Sequence, residues 1–172
     1  ERINEYAGRV GEHYERTEAW INAAEWYARA GEQAQSTYAS DSAIHYYQKA
    51  LGFLNEHGKP EHLHLKLEVM QRLGDVLNWQ ARYTDAIELY TAMLKEAESG
   101  SDLVAQSRAL LCLSTSLSYQ GDHQASLENA THAETLARTA NAKPAIAKAL
   151  RIQGLARFRL GEAHIALSQA EQ

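Results

Sequence analysis

Cysteine occurs once in the 172 residues, at Cys112. A lone thiol cannot build a disulfide framework, and such scarcity suits a reducing, cytoplasmic setting. Two prolines and ten glycines are too few for a loop-rich β protein. No apolar run approaches the ~18 residues that cross a bilayer, so no membrane span is expected. A positive surplus is also missing: 17 Lys and Arg stand against 22 Asp and Glu, a formal net charge of −5. That balance argues against a general binder of nucleic acid or of anionic membranes. The sequence begins at Glu1, with no initiator Met and no signal-peptide pattern. We expect residues 1–172 to be a single domain belonging to a longer protein.

What is plentiful is alanine, with 29 residues, and alanine is the best helix former. The breaks suit helical hairpins. Gly58-Lys59-Pro60 and Asn141-Ala142-Lys143-Pro144 each read as a helix stop followed by a proline in the next first turn. Ser99-Gly100-Ser101-Asp102 offers a stop and then a cap. Between breaks the apolar residues keep helical spacing, as in Leu63, Leu67, Met70, Leu73 and Leu77. The expected helices span about 3–15, 18–38, 41–56, 61–80, 83–98, 102–120, 123–140, 143–160 and 163–172. No sheet is expected. The helix at 18–38 is read as one piece shared by two hairpins, bent near Gly31, because Ala23 and Ala43 lie twenty residues apart.

An offset of 40 relates the second half to itself. Met70, Leu110 and Leu150 align, as do Gly74, Ser114 and Gly154. Ala81, Gly121 and Gly161 follow at the turn, then Ala86, Ser126 and Ala166 with Ile87, Leu127 and Leu167. Small residues in such columns let helices approach closely. A single hairpin cannot bury its apolar face alone, so stacked hairpins are the stable arrangement. The domain then divides into irregular hairpins at 1–57 and repeats at 61–100, 101–140 and 141–172, the last cut short. Ile165 and Leu167 on the short final helix are expected to be partly exposed, or covered by self-association.

Val10-Gly11-x-x-Tyr14 with Ala23-x-x-x-Tyr27-x-x-Ala30 resembles a tetratricopeptide (TPR) repeat, and Leu73-Gly74-x-x-Leu77 with Tyr83-x-x-Ala86-x-x-x-Tyr90 resembles a second. Departures are the missing tryptophan and closing proline, Gln153 and Arg157 at apolar positions, and a period of 40 rather than 34. The resemblance implies an all-α fold: a right-handed α-solenoid of antiparallel hairpins with roughly nine helices. The stretch from Gly11 to Leu51, with Ala23-Ala24-Glu25-Trp26-Tyr27-Ala28-Arg29-Ala30-Gly31 at its centre, is also similar to the TPR arm of bacterial AAA or STAND-type signalling ATPases linked to cyclase or LuxR-type domains. This implies a non-catalytic, regulatory or sensor arm that binds a partner in its concave groove. The alternative is a stand-alone scaffold or oligomerisation adaptor. No Gly-x-x-x-x-Gly-Lys-Ser/Thr loop occurs in the chain.

No catalytic residues are assigned: Ser114, Ser116 and Ser118 lack a Gly-x-Ser-x-Gly elbow. Zinc could gather His57, His62 and His64 at the Gly58–Pro60 turn, but no His-Glu-x-x-His or neighbouring cysteine accompanies them, and a solvated turn is the reading preferred. No metal or cofactor is therefore expected. Cys112 reads as a packed side chain. Tyr14, Tyr27, Tyr47, Tyr83 and Tyr90 read as core from their columns. Trp79 and Tyr119 share a column near the end of the first helix of each hairpin, where they would anchor a peptide or pack beneath the turn. Arg72, Arg108, Lys148, Arg151 and Arg159 fall on or near the expected groove face, whereas Glu12, Glu15, Glu18, Glu25 and Glu32 lie elsewhere. A positive groove on an acidic body favours an acidic peptide or a chain-terminal carboxylate. Asp75 and Thr115 occupy the column where a carboxylate clamp of the chaperone-binding kind wants asparagine, which argues against that clamp.

Overall fold

The computed structural model describes residues 6–161, and every regular element among them is helical. The chain divides into two compact units, Glu1–Arg82 and Tyr83–Gln172. The first contains α1 (Ala7–Arg16), α2 (Trp20–Ser36), α3 (Ser40–His57) and α4 (Leu63–Trp79). The second contains α5 (Tyr83–Ser99), α6 (Leu103–Gln120), α7 (His123–Thr139) and α8 (Lys143–Arg159). These match the expected helices to within a few residues; the expected start of the first, at about residue 3, lies outside the described residues. The expected final helix at 163–172, with Ile165 and Leu167, lies outside the described residues.

The junctions share one geometry. Glu18, Tyr38, Ala81, Ser101, Gly121, Asn141 and Gly161 all adopt positive φ. At Tyr38 the N–H donates to the Gln35 carbonyl and the next N–H, of Ala39, reaches back to Ala34. The same pair of bonds closes the helices before Glu18, Ala81, Ser101, Gly121 and Asn141. This is the Schellman stop, in which a left-handed residue lets the last carbonyls find donors. The stops recur every twenty residues, from Glu18 to Tyr38 and from Ala81 to Gly161. The 40-residue period is thus two equal helix-and-turn steps, and the Ala23–Ala43 spacing is one such step. The exception is Gly58, which is extended (φ −67°, ψ 141°) and leads into a 3-10 turn at Pro60–His62.

In the first unit, α2 packs against both α1 and α3, and α4 against α3. Gly31 lies inside α2, which runs unbroken past it. Its role is packing: a Cβ there would sit 2.5 Å from the Tyr47 ring. Gly11 stands in the same relation to Tyr27, at 3.0 Å. Tyr27 and Tyr47 are fully buried, whereas Tyr14 is only half-buried, short of the core position expected for it.

In the second unit, α6 packs against α5, α7 and α8. Leu110, Leu111, Ala130, Ala133, Ala149 and Ile152 form its core, with Leu94, Leu136 and Ala145 at the edge. Buried hydroxyls find backbone acceptors: Ser107 Oγ donates to Ala133 O (2.8 Å) and Ser114 Oγ to Ser126 O (2.7 Å). Cys112 is buried, Tyr90 is fully buried and Tyr83 is half-buried. Leu150, aligned with the buried Met70 and Leu110, is 48% exposed. In α6 the neighbouring column residue Ser114 packs on Ser126; the counterpart of Ser126 in the last repeat, Ala166, lies outside the described residues.

Candidate functional site

The nine residues expected to line a groove fall in both units. In the first unit, Arg72 is half-buried on α4 and already engaged. Its Nη2 lies 2.9 Å from Glu68 Oε1 and 3.2 Å from Glu32 Oε1, and its Nε donates to Glu68 at 3.3 Å. Asp75 is half-buried one turn on, and both charges bear on the Tyr47 hydroxyl. Burial pushes that phenol up to about 12, while its OH donates to Gln35 Oε1 at 2.8 Å. Trp79, at the end of α4, is 63% exposed.

In the second unit, Arg108, Thr115 and Tyr119 lie on one stripe of α6. Residues three to four apart share a helix face, and Val104, which the sequence reading passed over, heads the same stripe at 47% exposure. Thr115 donates its hydroxyl to Leu111 O. Tyr119 is exposed, with its ring 5.8 Å from that of Tyr83. Arg108 is half-buried, and its Nε is buried without a hydrogen-bond partner. On α8, Lys148, Arg151 and Arg159 are exposed. Leu155, on the same side of α8 and 42% exposed, was also missed.

Charge in this unit is segregated by helix. α6 and α8, which touch each other directly, carry Arg108, Lys143, Lys148, Arg151, Arg157 and Arg159 and no acidic residue. The acids of the described residues lie on α5 and α7 and at the caps Asp102 and Asp122. Arg157 acts on an acid across a helix boundary, helping to hold the Glu134 carboxyl below its ordinary range. The larger causes there are hydrogen bonds from Gln153 (2.7 Å) and Arg138 (2.7 Å). Gln153, at an apolar repeat position, is thereby satisfied although 97% buried. No hydrogen bond or ion pair engages Lys148, Arg151 or Arg159 among the described residues.

Two of the histidines around the Gly58–Pro60 turn are separately employed, and His64 is exposed. His57 stacks on Trp20 (4.9 Å, 12° between planes), and His62 Nδ1 accepts the Lys59 N–H at 3.0 Å. Among the described residues no three potential ligands gather as a metal site would need, and no helix is long and apolar enough to cross a membrane.

Helices of 17 or 18 residues from α2 to α8, joined by the same turn everywhere but at Gly58, with α6 and α8 in contact, are the marks of a helical repeat. The crystal structure of apo RapI is similar. The TM-score is 0.77 at 11% identity over 95% of this chain. The chain spans 50% of the length of RapI. No family model matches the chain, and no curated protein does. The likeness establishes the fold, a TPR-like helical repeat of the α-solenoid class, and a fold of this class is consistent with a protein-interaction module.

A second cluster was not singled out from the sequence. Glu25, Arg29 and Glu32 on α2 face Glu68 and Arg72 on α4 around a cavity of about 300 Å³. The signals were present as spacings on one helix face, Glu25 to Arg29 to Glu32 and Glu68 to Arg72. They pass for ordinary surface pairs until α2 and α4 are placed side by side.

Proposed function

We propose that the chain is a non-catalytic interaction module whose second unit binds an acidic protein segment on the exposed side of α6 and α8. One observation carries this reading: the two touching helices hold six cations and no acid, and Lys148, Arg151 and Arg159 are exposed and meet no ion-pair partner among the described residues. An acidic ligand gains attraction there with little to displace, while Val104, Tyr119 and Leu155 offer apolar contact beside the charges. Arg72 is not counted in this surface, because Glu32 and Glu68 already neutralise it.

The resemblance of the Gly11–Leu51 stretch to the TPR arm of bacterial signalling ATPases supports a reading in which an ATPase domain accompanies the module and the bound segment biases its state. Such coupling requires the ligand to bind two states of the whole protein with different affinity. The alternative is an adaptor that holds partners together. The test is fluorescence anisotropy with a labelled peptide of alternating Glu and Leu. Binding is expected to weaken in high salt. Reversal of Arg108, Lys148 and Arg151 to Glu should weaken it by more than about tenfold, from the ~1.5–3 kcal/mol typical of one charged hydrogen bond. Unchanged binding would sink the reading. If the parent reading frame encodes a phosphate-binding loop upstream and ATP turnover responds to the peptide, the arm is regulatory; a frame without one leaves the adaptor.

A further inference from the structure

We infer that the cavity between α2 and α4 is a second binding site, for an alkylguanidinium or alkylammonium group. It stands independently of the reading of α6 and α8, because it lies wholly in the first unit. The cavity measures about 300 Å³, enough for a side chain of arginine or lysine size. Three carboxylates line it, Glu25, Glu32 and Glu68, against two guanidinium groups, Arg29 and Arg72. Of the two cations, Arg72 is already committed to acids. Arg72 is held by Glu68 and Glu32 and also reaches the Tyr47 hydroxyl. Arg29 lies over the face of Trp26, 4.6 Å from the ring centre, where the ring's electron density holds it.

The acids retain capacity. Arg72 occupies one oxygen each of Glu32 and Glu68. Glu25 is exposed, and no hydrogen bond or ion pair engages it among the described residues. A carboxylate accepts at about four lone-pair sites, so unfilled acceptors outnumber unfilled donors around this space. An anionic ligand would meet three carboxylates and find Arg72 engaged; a cationic ligand meets open acceptors on Glu25, Glu32 and Glu68. Ala28, which is buried, and Leu65, which is half-buried, supply apolar lining for a methylene stem. The shared chemistry is a cation on a short alkyl stem. Its source is either a basic residue of a peptide or a free amine.

The test uses the whole ¹⁵N-labelled chain and follows the Trp26 indole resonance, since Trp26 lies under the lining residue Arg29. It is identified by its loss in Trp26→Phe. The probes are acetyl-Gly-Arg-Gly-amide, agmatine and, as opposite-charge control, acetyl-Gly-Glu-Gly-amide. A saturable shift is expected from the arginine probes and none from the glutamate peptide. Tighter binding by the blocked peptide identifies a peptide residue as the source, and tighter binding by agmatine a free amine. Glu25→Gln should weaken binding at least about fivefold, since it removes the charge from a hydrogen-bond acceptor. Leu65→Phe, which narrows the cavity without altering charge, should weaken it too. No saturable shift, an equal shift with the glutamate peptide, or undiminished binding in Glu25→Gln would overturn the inference. Charge reversal on α6 and α8 should leave this titration unchanged, so the two sites fail separately.

Discussion

Tyr27 and Tyr47 repeat one set of contacts twenty residues apart. Each ring packs on a glycine of the preceding helix, Gly11 or Gly31. Each hydroxyl donates to a side chain one turn beyond that glycine, to Glu15 at 2.5 Å or to Gln35 at 2.8 Å. At the first site Lys49 joins Glu15 at 2.9 Å, so the network ties α1, α2 and α3 together. Hydrogen bonds from Tyr27 and Lys49 hold the Glu15 carboxyl below its ordinary range. The tightness of the second site makes it sensitive. Gly31→Ala would drive a methyl group into the Tyr47 ring and should destabilise the protein by about 1–3 kcal/mol, measured by chemical denaturation. Gly154→Ala is the contrast, since no atom lies within 4 Å of its would-be Cβ. It should stabilise α8 by about 0.5–1 kcal/mol, the usual gain of alanine over glycine in a helix.

Glu134 gives the residue-scale pH dependence. Gln153 and Arg138 hold its carboxyl below the ordinary value of 4.5. A carboxylate whose folded value is depressed adds stability that is fully present above the unfolded value and is lost as pH falls through the folded one. Stability should therefore fall on acidification below about pH 4.5, and Gln153→Leu should flatten that fall. Denaturant midpoints measured between pH 6 and pH 3 check both statements.

At the scale of elements, the uniform junctions show what the helices have and lack. Asp102 and Asp122 cap α6 and α7, accepting backbone N–H bonds at 2.9–3.0 Å. Ala39 holds the same place before α3 with nearly the backbone of Asp122 (φ −83°, ψ 68° against −82°, 77°) but no side-chain acceptor. Ala39→Ser should raise the unfolding free energy, and Asp122→Ala should lower it, each by about 0.5–2 kcal/mol in chemical denaturation. The helices themselves were readable from alanine content, apolar spacing and the proline and glycine breaks. The left-handed stops were less so. Glycine marks them at Gly121 and Gly161, but Glu18, Tyr38 and Ser101 take the same conformation without that signal. Beside Ser101, the adjacent Gly100 misleads: it lies one residue before the left-handed position.

At the scale of the molecule, the two units differ in how charge is arranged. Cations gather on α6 and α8 in the second, while acids and bases mix within α2 and α4 in the first. In a repeat protein, stability is carried by neighbouring elements, so damage stays local. Gly31→Ala should therefore lower hydrogen-exchange protection in α2 and α3 more than in α6 and α7. Equal loss throughout would mean that the units unfold as one.

Helix content, the 40-residue period and the cations on every second helix could all be read from the order of residues, because helix propensity and face periodicity are local properties of the chain. Which cations are open could not. Arg72 and Arg151 look alike in the sequence, yet Glu32 and Glu68 neutralise Arg72 while Arg151 meets no partner among the described residues. The same holds for Gly31, read first as a bend and found to be a seat for Tyr47, and for the carboxylates around the α2–α4 cavity. Each depends on which side chains stand opposite one another across helices that can be more than 40 residues apart in sequence, and only packing brings those together.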